Sequence, residues 1–410
     1  MDCGYSKKIL VTQNLINYKS TLEGFMQNKY INVRKGEIFF LIGYILLIVF
    51  RVLKSSTLGL DDSGITYIVV LALFFAQIIY QKINLNRVVR YLILFLILCF
   101  YILKTKEPVV PIFITAIIAV KDVDFDRIVK ISFITVSSLV VMIVLLALMG
   151  IIPDIVTYRN LGANRVACHG MGFNHSSALQ TYYTFLCMEY FYLKKNKIKL
   201  LELILFIAIG YIIFLNCAER LRFYMIFIIV FLIISKPLLN KLIFNWNKKI
   251  SFMIYPIISI VSLASGYFYN SSNSFFYSLN ILLSNRLYYQ NYAFNHFDIS
   301  LFGSRINMGL DSLMINGNTS YFYLDSAYTF ILFSYGIIVA LIIIYAYSKG
   351  IECAHVNKNW ILWIWFLMLA IDSFVGNQLM SIWSIPIVLF PFCRENGKKK
   401  KIFSNKTVYF

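Results

Sequence analysis

Apolar runs separated by short charged connectors dominate this sequence and limit what it can fold into. Of the 410 residues, 60% are hydrophobic and 14% are charged, and the mean hydropathy is +0.72. A soluble domain carries about 25% charged residues, whereas long apolar runs are typical of membrane spans. The composition therefore predicts an all-α fold, a polytopic integral membrane helix bundle, rather than several soluble domains.

Twelve apolar runs are long enough, or nearly long enough, to cross a bilayer as helices. They lie at 38–53, 65–80, 88–103, 108–120, 131–152, 176–193, 198–215, 221–235, 250–270, 326–348, 360–373 and 376–393. The run at 108–120 is short and contains Pro108 and Pro111, so it also fits a tilted, broken or re-entrant helix. The sequence thus predicts about 12 transmembrane helices.

The distribution of Lys and Arg predicts the orientation of the bundle, because these residues concentrate in cytoplasmic connectors. With the N-terminus inside, the cytoplasmic segments hold 28 of the 38 cations and the opposite segments hold 10. Both termini are then cytoplasmic. Residues 1–37 form an N-terminal tail, residues 38–393 the transmembrane domain, and residues 394–410 a basic tail. This distribution also accounts for the net charge of +19 without invoking nucleic acid.

The connector at 271–325 differs from all the others. It is 55 residues long, contains no Lys and is rich in Asn, Ser, Tyr and Phe. Loops of this length are usually functional or disordered, and the aromatic content favours a folded segment. The spacing of apolar residues over 275–297 predicts a helix against the membrane surface or the bundle. We therefore expect one large extracytoplasmic loop with short helices, which carries the working part of the protein.

All six cations in the extracytoplasmic segments after residue 150 are arginines: Arg159, Arg165, Arg220, Arg222, Arg286 and Arg305. Lys suffices to hold topology, but the planar fork of Arg grips phosphate or carboxylate in two-point contacts. One interpretation is an anion site that faces outward. The other is chance combined with anchoring at the membrane interface.

Three segments carry the candidate chemistry. The loop at 153–177 combines arginines and glycines with His169 and His175, and His suits proton transfer near neutral pH. An ordinary Gly-rich turn with His at headgroup level is the alternative. The second segment, 216–222, reads NCAERLR and starts an apolar helix, whose free N–H groups favour anions. There Glu219 is expected to pair with its neighbour Arg220.

The third segment is the long loop itself. Arg286 interrupts its apolar side, and Arg305 lies between two glycines. Asp325 directly precedes the next span, where it serves either as a helix N-cap or in the chemistry. Motifs for nucleotide, zinc-protease or serine-hydrolase sites are missing, and no outer loop holds an acidic pair of the DxD type. No metal or other cofactor is therefore expected. The seven cysteines form no metal pattern, which leaves open only a bridge between Cys168 and Cys217.

Four patches resemble the Wzy-type polymerases of bacterial surface polysaccharide, relatives of the O-antigen ligases. They are GMGFNHSS, CAERLRFYMIFIIV, LLSNRLYYQNYAFNHFDISLFGS and YLDSAYTFILFSYGII, in this order around the long loop. The chain departs from the family pattern where Ser176 and Ser177 replace Pro-Asn and where Asn285 replaces Gly. The residues that fit include Arg220, Arg286, Leu301-Phe302-Gly303, Asp325, Tyr328 and Gly336.

The resemblance implies a metal-independent glycosyltransferase of the bacterial plasma membrane. It would move a growing glycan from undecaprenyl diphosphate onto the next undecaprenyl-diphosphate-linked oligosaccharide repeat unit at the outer face. Arginines would stabilise charge on the leaving diphosphate. We expect them to be Arg165, Arg220, Arg286 and Arg305. The catalytic candidates are His175, Arg286 and Asp325. His175 is the best-matched base, and His296, Asp298 and Asp325 are its rivals.

Two alternatives remain open on the sequence. A flippase or other transporter of lipid-linked oligosaccharide also has about twelve spans, but it usually has short loops and cations inside its spans. A glycan ligase of the O-antigen ligase type uses nearly the same chemistry. The expected partners are the lipid-linked oligosaccharide and membrane lipid, together with chain-length regulator and flippase proteins, and no nucleic acid.

Overall fold

The structure is a computed structural model that describes residues 37–59, 64–81, 97–98, 101–102, 104–105, 107–161, 164–195, 197–315 and 318–394. Most of these residues are helical, and the only described strands form two short hairpins, so the predicted all-α class is confirmed in its coarse form. The N-terminal tail except Glu37, most of the run at 88–103 and the basic tail beyond Arg394 lie outside the described residues.

The elements follow one another in simple order. The helices are α1 (Glu37–Lys54), α2 (Gly64–Tyr80), α3 (Val109–Ala119), α4 (Phe125–Leu148), α5 (Ser177–Lys194), α6 (Leu200–Cys217), α7 (Arg220–Ile234), α8 (Lys236–Asn245), α9 (Lys248–Tyr267), α10 (Ser274–Leu282), α11 (Arg286–His296), α12 (Ala327–Phe330), α13 (Gly336–Val356) and α14 (Trp360–Val375). The antiparallel hairpins are β1 (Val156–Leu161) with β2 (Asn164–His169), and β3 (Gly309–Ile315) with β4 (Asn318–Phe322).

Among the described residues, four helical stretches are long and apolar enough to cross a membrane. They are α4, α6, α9 and the continuous stretch from α12 to α13, which includes a π-helix at Ile331–Tyr335. A fifth is added if α7 and α8, bent by 82° at their junction, are counted as one span. The finding supports a membrane protein with four or five such helices, fewer than the twelve predicted runs.

The last predicted run, 376–393, is not a regular helix. It consists of turns followed by a 3₁₀-helix at Pro386–Phe392. Pro386 and Pro391 lack the N–H that an α-helix interior requires, which explains the irregular path. This segment is nevertheless central, since it packs against α3, α4, α13 and α14.

The core of the bundle is built around α14. Thirteen of its 16 residues are buried, whereas α6 buries only three of 18. A helix that is apolar on every side is buried in a protein core or faces lipid. The two helices have similar hydropathy, but they are packed differently. Helix α14 lies inside the bundle, and α6 lies on its periphery.

Contacts between connectors divide the helix termini into two ends, which we call the site end and the far end. At the site end, the turn after α1 bonds to the loop after β2, through Asn174 N to Ser55 O at 3.0 Å and Thr57 N to Gly172 O at 2.9 Å. At the far end, Arg127 pairs with Glu37 at 2.7 Å. The long loop joins the site end, because Tyr323 near its end interacts electrostatically with Arg51 in the last turn of α1. Asn291 also donates to the carbonyls that end α9.

Within the long loop, the predicted helix over 275–297 is present as two helices, α10 and α11. The break falls at Ser284 and Asn285, whose φ angles are +57° and +65°. Asn is among the residues that best tolerate this left-handed conformation. The β3–β4 hairpin that follows was not predicted. Cys168 and Cys217 are both buried free thiols, so they form no bridge.

Candidate functional site

The long loop presents an ion pair at the site end. Arg286 is the first residue of α11, and its Nε lies 3.1 Å from Oδ2 of Asp325. One Nη nitrogen donates to the Leu283 carbonyl at 3.3 Å, which fixes the plane of the guanidinium. Among the described residues, none accepts a hydrogen bond from the other Nη nitrogen. The Arg286 side chain is 16% exposed, so this nitrogen can reach a ligand.

A second, buried set of charges lies behind this pair. Arg222 of α7 places Nε 3.2 Å from Oδ1 of Asp372 on α14, and Nη1 3.6 Å from Oε1 of Glu219. All three residues are buried. Charges removed from water in this way persist only when they are paired, so the set ties α7 to the central helix.

The two sets form one electrostatic unit. Asp325 interacts with Arg222 as well as with Arg286, and Asp372 interacts with Arg286. We call Glu219, Arg222, Arg286, Asp325 and Asp372 the charge cluster. It holds two guanidinium groups and three carboxyl groups, so one carboxyl must be neutral or a further cation must approach for its charges to balance.

Glycine at position 376 allows the backbone to close over the buried pair. A Cβ there would lie 2.5 Å from Nη2 of Arg222 and 2.7 Å from Oδ2 of Asp372, so a side chain at this position would displace the ion pair. The Gly376 carbonyl accepts a hydrogen bond from Ala327 N at 3.1 Å. The turn after α14 thereby connects the buried pair to the start of α12, directly after Asp325.

The structure separates the two arginines at the start of α7. Arg220, the residue singled out from the sequence, is exposed, and Arg222 points into the bundle. The expected Glu219–Arg220 pair is wrong, because Glu219 contacts Arg222. The sequence does carry a signal for this: the two positions lie on opposite sides of a helix that is otherwise apolar, and one side of that helix must face the core.

Asp372 was missed entirely, although it is the only acidic residue inside the apolar run at 360–373. An acid within a membrane-spanning run is by default a functional or paired group. Its partner lies 150 positions earlier in the chain, so the sequence pattern flags the acid but does not identify Arg222.

Asp325 is not the helix N-cap. Ser326 occupies that position at the start of α12, and Asp325 turns toward Arg286. Desolvation raises the pKa of Asp325 above its ordinary value, and the nearby positive charges of Arg286 and Arg222 oppose that rise. A carboxyl group whose pKa is raised, and which is held next to a cation, is suited to accept a proton.

The loop at 153–177 lies at the same end of the bundle. His175 is exposed in the turn before α5, and no contact within the described residues joins it to the charge cluster. His169 instead forms a pair with Asp154, with 2.6 Å between Nδ1 and Oδ2. Asp154 also accepts from Met171 N at 2.7 Å, so this pair closes the loop. Arg165 lies on β2, but its side chain is outside the described residues.

Arg305 lies apart from the charge cluster, on the wall of a cavity of 630 Å³. Of the residues proposed from the sequence for the diphosphate, the structure therefore joins only Arg286 to Asp325, and adds Arg222 behind them. The rival bases His296 and Asp298 are exposed near the end of α11. Within the described residues, no group of three or more His, Cys, Asp or Glu side chains is placed to hold a metal ion.

Comparison of the chain with protein-family models, curated proteins and solved structures finds no match.

Proposed function

We propose that the protein is a polysaccharide polymerase of the bacterial plasma membrane. It transfers a growing glycan from undecaprenyl diphosphate onto the next undecaprenyl-diphosphate-linked oligosaccharide repeat unit. The observation that carries the proposal is the ion pair of Arg286 and Asp325, in which a fixed guanidinium with an available nitrogen lies 3.1 Å from a carboxyl of raised pKa. These are the two groups that such a transfer needs.

Asp325 serves as the base in this proposal. As the acceptor hydroxyl attacks the anomeric carbon, its proton passes to the Asp325 carboxylate. A new glycosidic bond forms, and the bond from the anomeric carbon to the diphosphate oxygen breaks. A base is most effective when its pKa lies near the working pH, so the raised pKa of Asp325 favours this role.

Arg286 stabilises the leaving group. The departing diphosphate gains negative charge, and a preorganised guanidinium lowers the energy of that charge in the transition state. At the same moment, protonation neutralises Asp325, so Arg286 exchanges one anionic partner for another. Protonation of Asp325 leaves the two carboxylates of Glu219 and Asp372 for the two guanidinium groups of the cluster. Arg222 holds the buried side of the cluster and acts through Arg286 and Asp325.

The proposal retains the predicted topology of about 12 spans with both termini in the cytoplasm. The site end then faces outward, where lipid-linked repeat units are presented. Several described apolar stretches, such as α2 with 17 residues and α14 with 16, are short of a full span but lie between connectors that alternate between the two ends. The role of His175 in catalysis and those of Arg165, Arg220 and Arg305 at the diphosphate stay predictions.

A ligase that transfers finished glycan is the second candidate, since the Arg–Asp pair serves that chemistry equally. A flippase is less well supported. The one buried cation among the described residues, Arg222, is paired with buried acids rather than placed along an open path.

The test is a profile of lipid-linked glycans in a strain that lacks this protein. The strain is complemented with the wild type, with Arg286→Ala or with Asp325→Asn. We expect carrier-linked single repeats to accumulate at the outer face in the deletion strain and in both variants, although each variant protein is present at the wild-type level.

Lys195→Ala is the matched control, because it also removes a cation from an ion pair, an exposed one with Asp126 at the far end. It should restore polymer fully, since exposed pairs contribute little. Single repeats at the inner face in the deletion strain would assign a flippase instead. Long carrier-linked chains that remain unattached would assign a ligase.

A further inference from the structure

The cavity beside Arg305 is separate from the charge cluster and has a wall of its own. It measures 630 Å³, within the usual range for sites that bind small molecules. Four parts of the chain build it: the connector before α3, the loop after Gly303, the turn after β4, and the stretch from the end of α12 through the π-helix.

The lining mixes charge, hydroxyl groups and aromatic faces. Glu107 and Arg305 supply opposite charges, Ser304 and Ser334 supply hydroxyls, and the aromatic lining residues are Tyr323, Phe330 and Tyr335. Ser334 is buried, and its Oγ has no hydrogen-bond partner among the described residues. That atom is closed to solvent, so exposed Ser304 is the hydroxyl residue of the lining that a ligand in the cavity meets.

The wall is held rigidly by two glycines in contact. Gly303 and Gly336 have φ angles of +77° and +88°, and a Cβ on Gly336 would lie 2.4 Å from Gly303 N. The loop bonds to the π-helix region, through Ser304 N to Phe333 O at 3.1 Å and Ile337 N to Ser300 O at 3.1 Å. A π-helix leaves backbone groups outside the regular pattern, and the loop pairs with them here.

This lining fits a sugar better than it fits a diphosphate. Sugar rings offer hydroxyls that both donate and accept, and apolar C–H faces that pack on aromatic rings. A diphosphate needs several donors and no nearby carboxylate, whereas here Glu107 lines the same cavity as Arg305. The cavity also lies near the charge cluster, since Tyr323 on its wall is two residues before Asp325 in the chain.

We propose that this cavity is a sugar-binding subsite that holds hydroxyl-bearing rings of the oligosaccharide substrate next to the Arg286–Asp325 pair. Glu107 accepts hydrogen bonds from ring hydroxyls, Arg305 and Ser304 donate to them, and Tyr335 supplies an apolar face. The assignment of the sugars to the transfer substrate rests on the proposed function. It moves Arg305 from the diphosphate, where the sequence placed it, to the glycan.

The test measures protection of a cysteine in the cavity, in the full chain in membranes. Asn307→Cys introduces an exposed thiol on the cavity lining, and Ser272→Cys introduces one in the same loop before α10, off the cavity. Both are treated with a membrane-impermeant maleimide, with the wild type as background. The probes are the two products of mild acid treatment of the carrier-lipid fraction of the source organism, namely free oligosaccharide and lipid phosphate.

Free oligosaccharide at millimolar concentration should slow modification of Asn307→Cys at least fivefold and leave Ser272→Cys unchanged. Adding Glu107→Gln to the Asn307→Cys chain should abolish this protection. Protection by lipid phosphate alone, equal slowing of both cysteines, or no protection by either probe overturns the proposal. A cavity cysteine that fails to react without any probe overturns it as well, because the cavity is then closed.

The readout separates this proposal from the proposed function, because it records a modification rate and not polymer synthesis. Protection by oligosaccharide in a protein whose deletion leaves polymerisation intact supports the subsite and rejects the polymerase. Loss of polymer on deletion without protection supports the polymerase and rejects the subsite.

Discussion

Arg220 and Arg222 are separated by about 200° around a helix, since each residue turns it by about 100°. That rotation places Arg220 in solvent or headgroups and Arg222 against Asp372 and Glu219. Exposed Arg220 is therefore the residue that the sequence suggested for anion binding, whereas buried Arg222 is paired with two acids. Asp325 shows the same principle: its neighbour Ser326 takes the helix cap, which leaves the carboxyl for Arg286.

Replacing Arg222 by Ala should destabilise the protein by about 3–5 kcal/mol, because Glu219 and Asp372 are then buried without their cation. Arg220→Ala should change stability by less than about 0.5 kcal/mol, as is usual for exposed positions. Thermal unfolding of detergent-purified protein checks this contrast. Adding Asp372→Ala to Arg222→Ala should recover part of the loss, and equal destabilisation by the two single variants contradicts the buried pair.

The raised pKa of Asp325 predicts how the polymerisation rate falls on the acid side of its pH profile. Polymerisation needs the ionised carboxylate, so the rate should fall as pH drops through the pKa of Asp325. Because burial raises that pKa, the midpoint should lie above the ordinary value of about 3.9 for Asp. The measurement is the rate of polymer formation in membrane vesicles, while the pH of the solution that faces the site end is varied.

His175→Gln serves as the control for this profile. It should leave the midpoint in place if Asp325 is the base. Disappearance of the acid limb in His175→Gln would assign the base to His175, as the sequence first suggested, and would reduce Asp325 to an orienting partner of Arg286.

At the scale of elements, the decisive contact is between the loop at Leu301-Phe302-Gly303 and the start of α13 at Gly336. These belong to two of the patches that resemble the Wzy-type polymerases, and the fold joins them into one unit. Ser334 O would lie 2.2 Å from a Cβ on Gly303, so neither glycine tolerates a side chain. The contact positions both the cavity wall and the π-helix, which follows the Asp325 segment.

Gly336→Ala should disrupt this unit, because its φ of +88° strains any other residue and the new methyl group meets backbone atoms. We expect a loss of about 1–3 kcal/mol, as for other strained backbone positions, and a strong loss of polymer. Gly64→Ala is the matched control, since Gly64 also begins a helix and a Cβ there meets nothing within 4 Å. Thermal unfolding and polymer yield are measured for both variants. Equal stability and equal yield of the two variants would contradict the close contact between Gly303 and Gly336.

At the scale of the whole molecule, connectors alternate between the site end and the far end along the described chain. Buried α14 and the irregular segment after it fill the centre, so α14 faces protein and not lipid. The charge cluster and the cavity both lie at the site end. The proposed function requires this end to face outward, which the excess of Lys and Arg in the opposite connectors also predicts.

Cysteine labelling in intact cells tests that orientation. Asn295→Cys, exposed at the end of α11, should react with a membrane-impermeant maleimide. Asn357→Cys, exposed at the far end between α13 and α14, should react only after the cells are opened. The reverse pattern would place the long loop in the cytoplasm and remove the basis for chemistry at the outer face.

The sequence by itself determined the class of the protein. Hydropathy and the Lys and Arg distribution are summed over many residues, so they do not depend on the boundaries of any single helix. It also picked out Arg286, Asp325, Gly303 and Gly336, which the fold brings together in two pairs. Helix lengths were less predictable. The run at 376–393 is continuously apolar, but its prolines prevent a regular helix.

Only the tertiary structure decided which charged residues meet. Arg222 and Asp372 are 150 positions apart, and neither helical period nor composition specifies a contact between two helices so far apart in the chain. The same is true of the cavity, whose lining comes from segments separated by up to about two hundred residues. Pairing of buried charges and closure of a cavity depend on how helices pack, which no pattern within a single helix encodes.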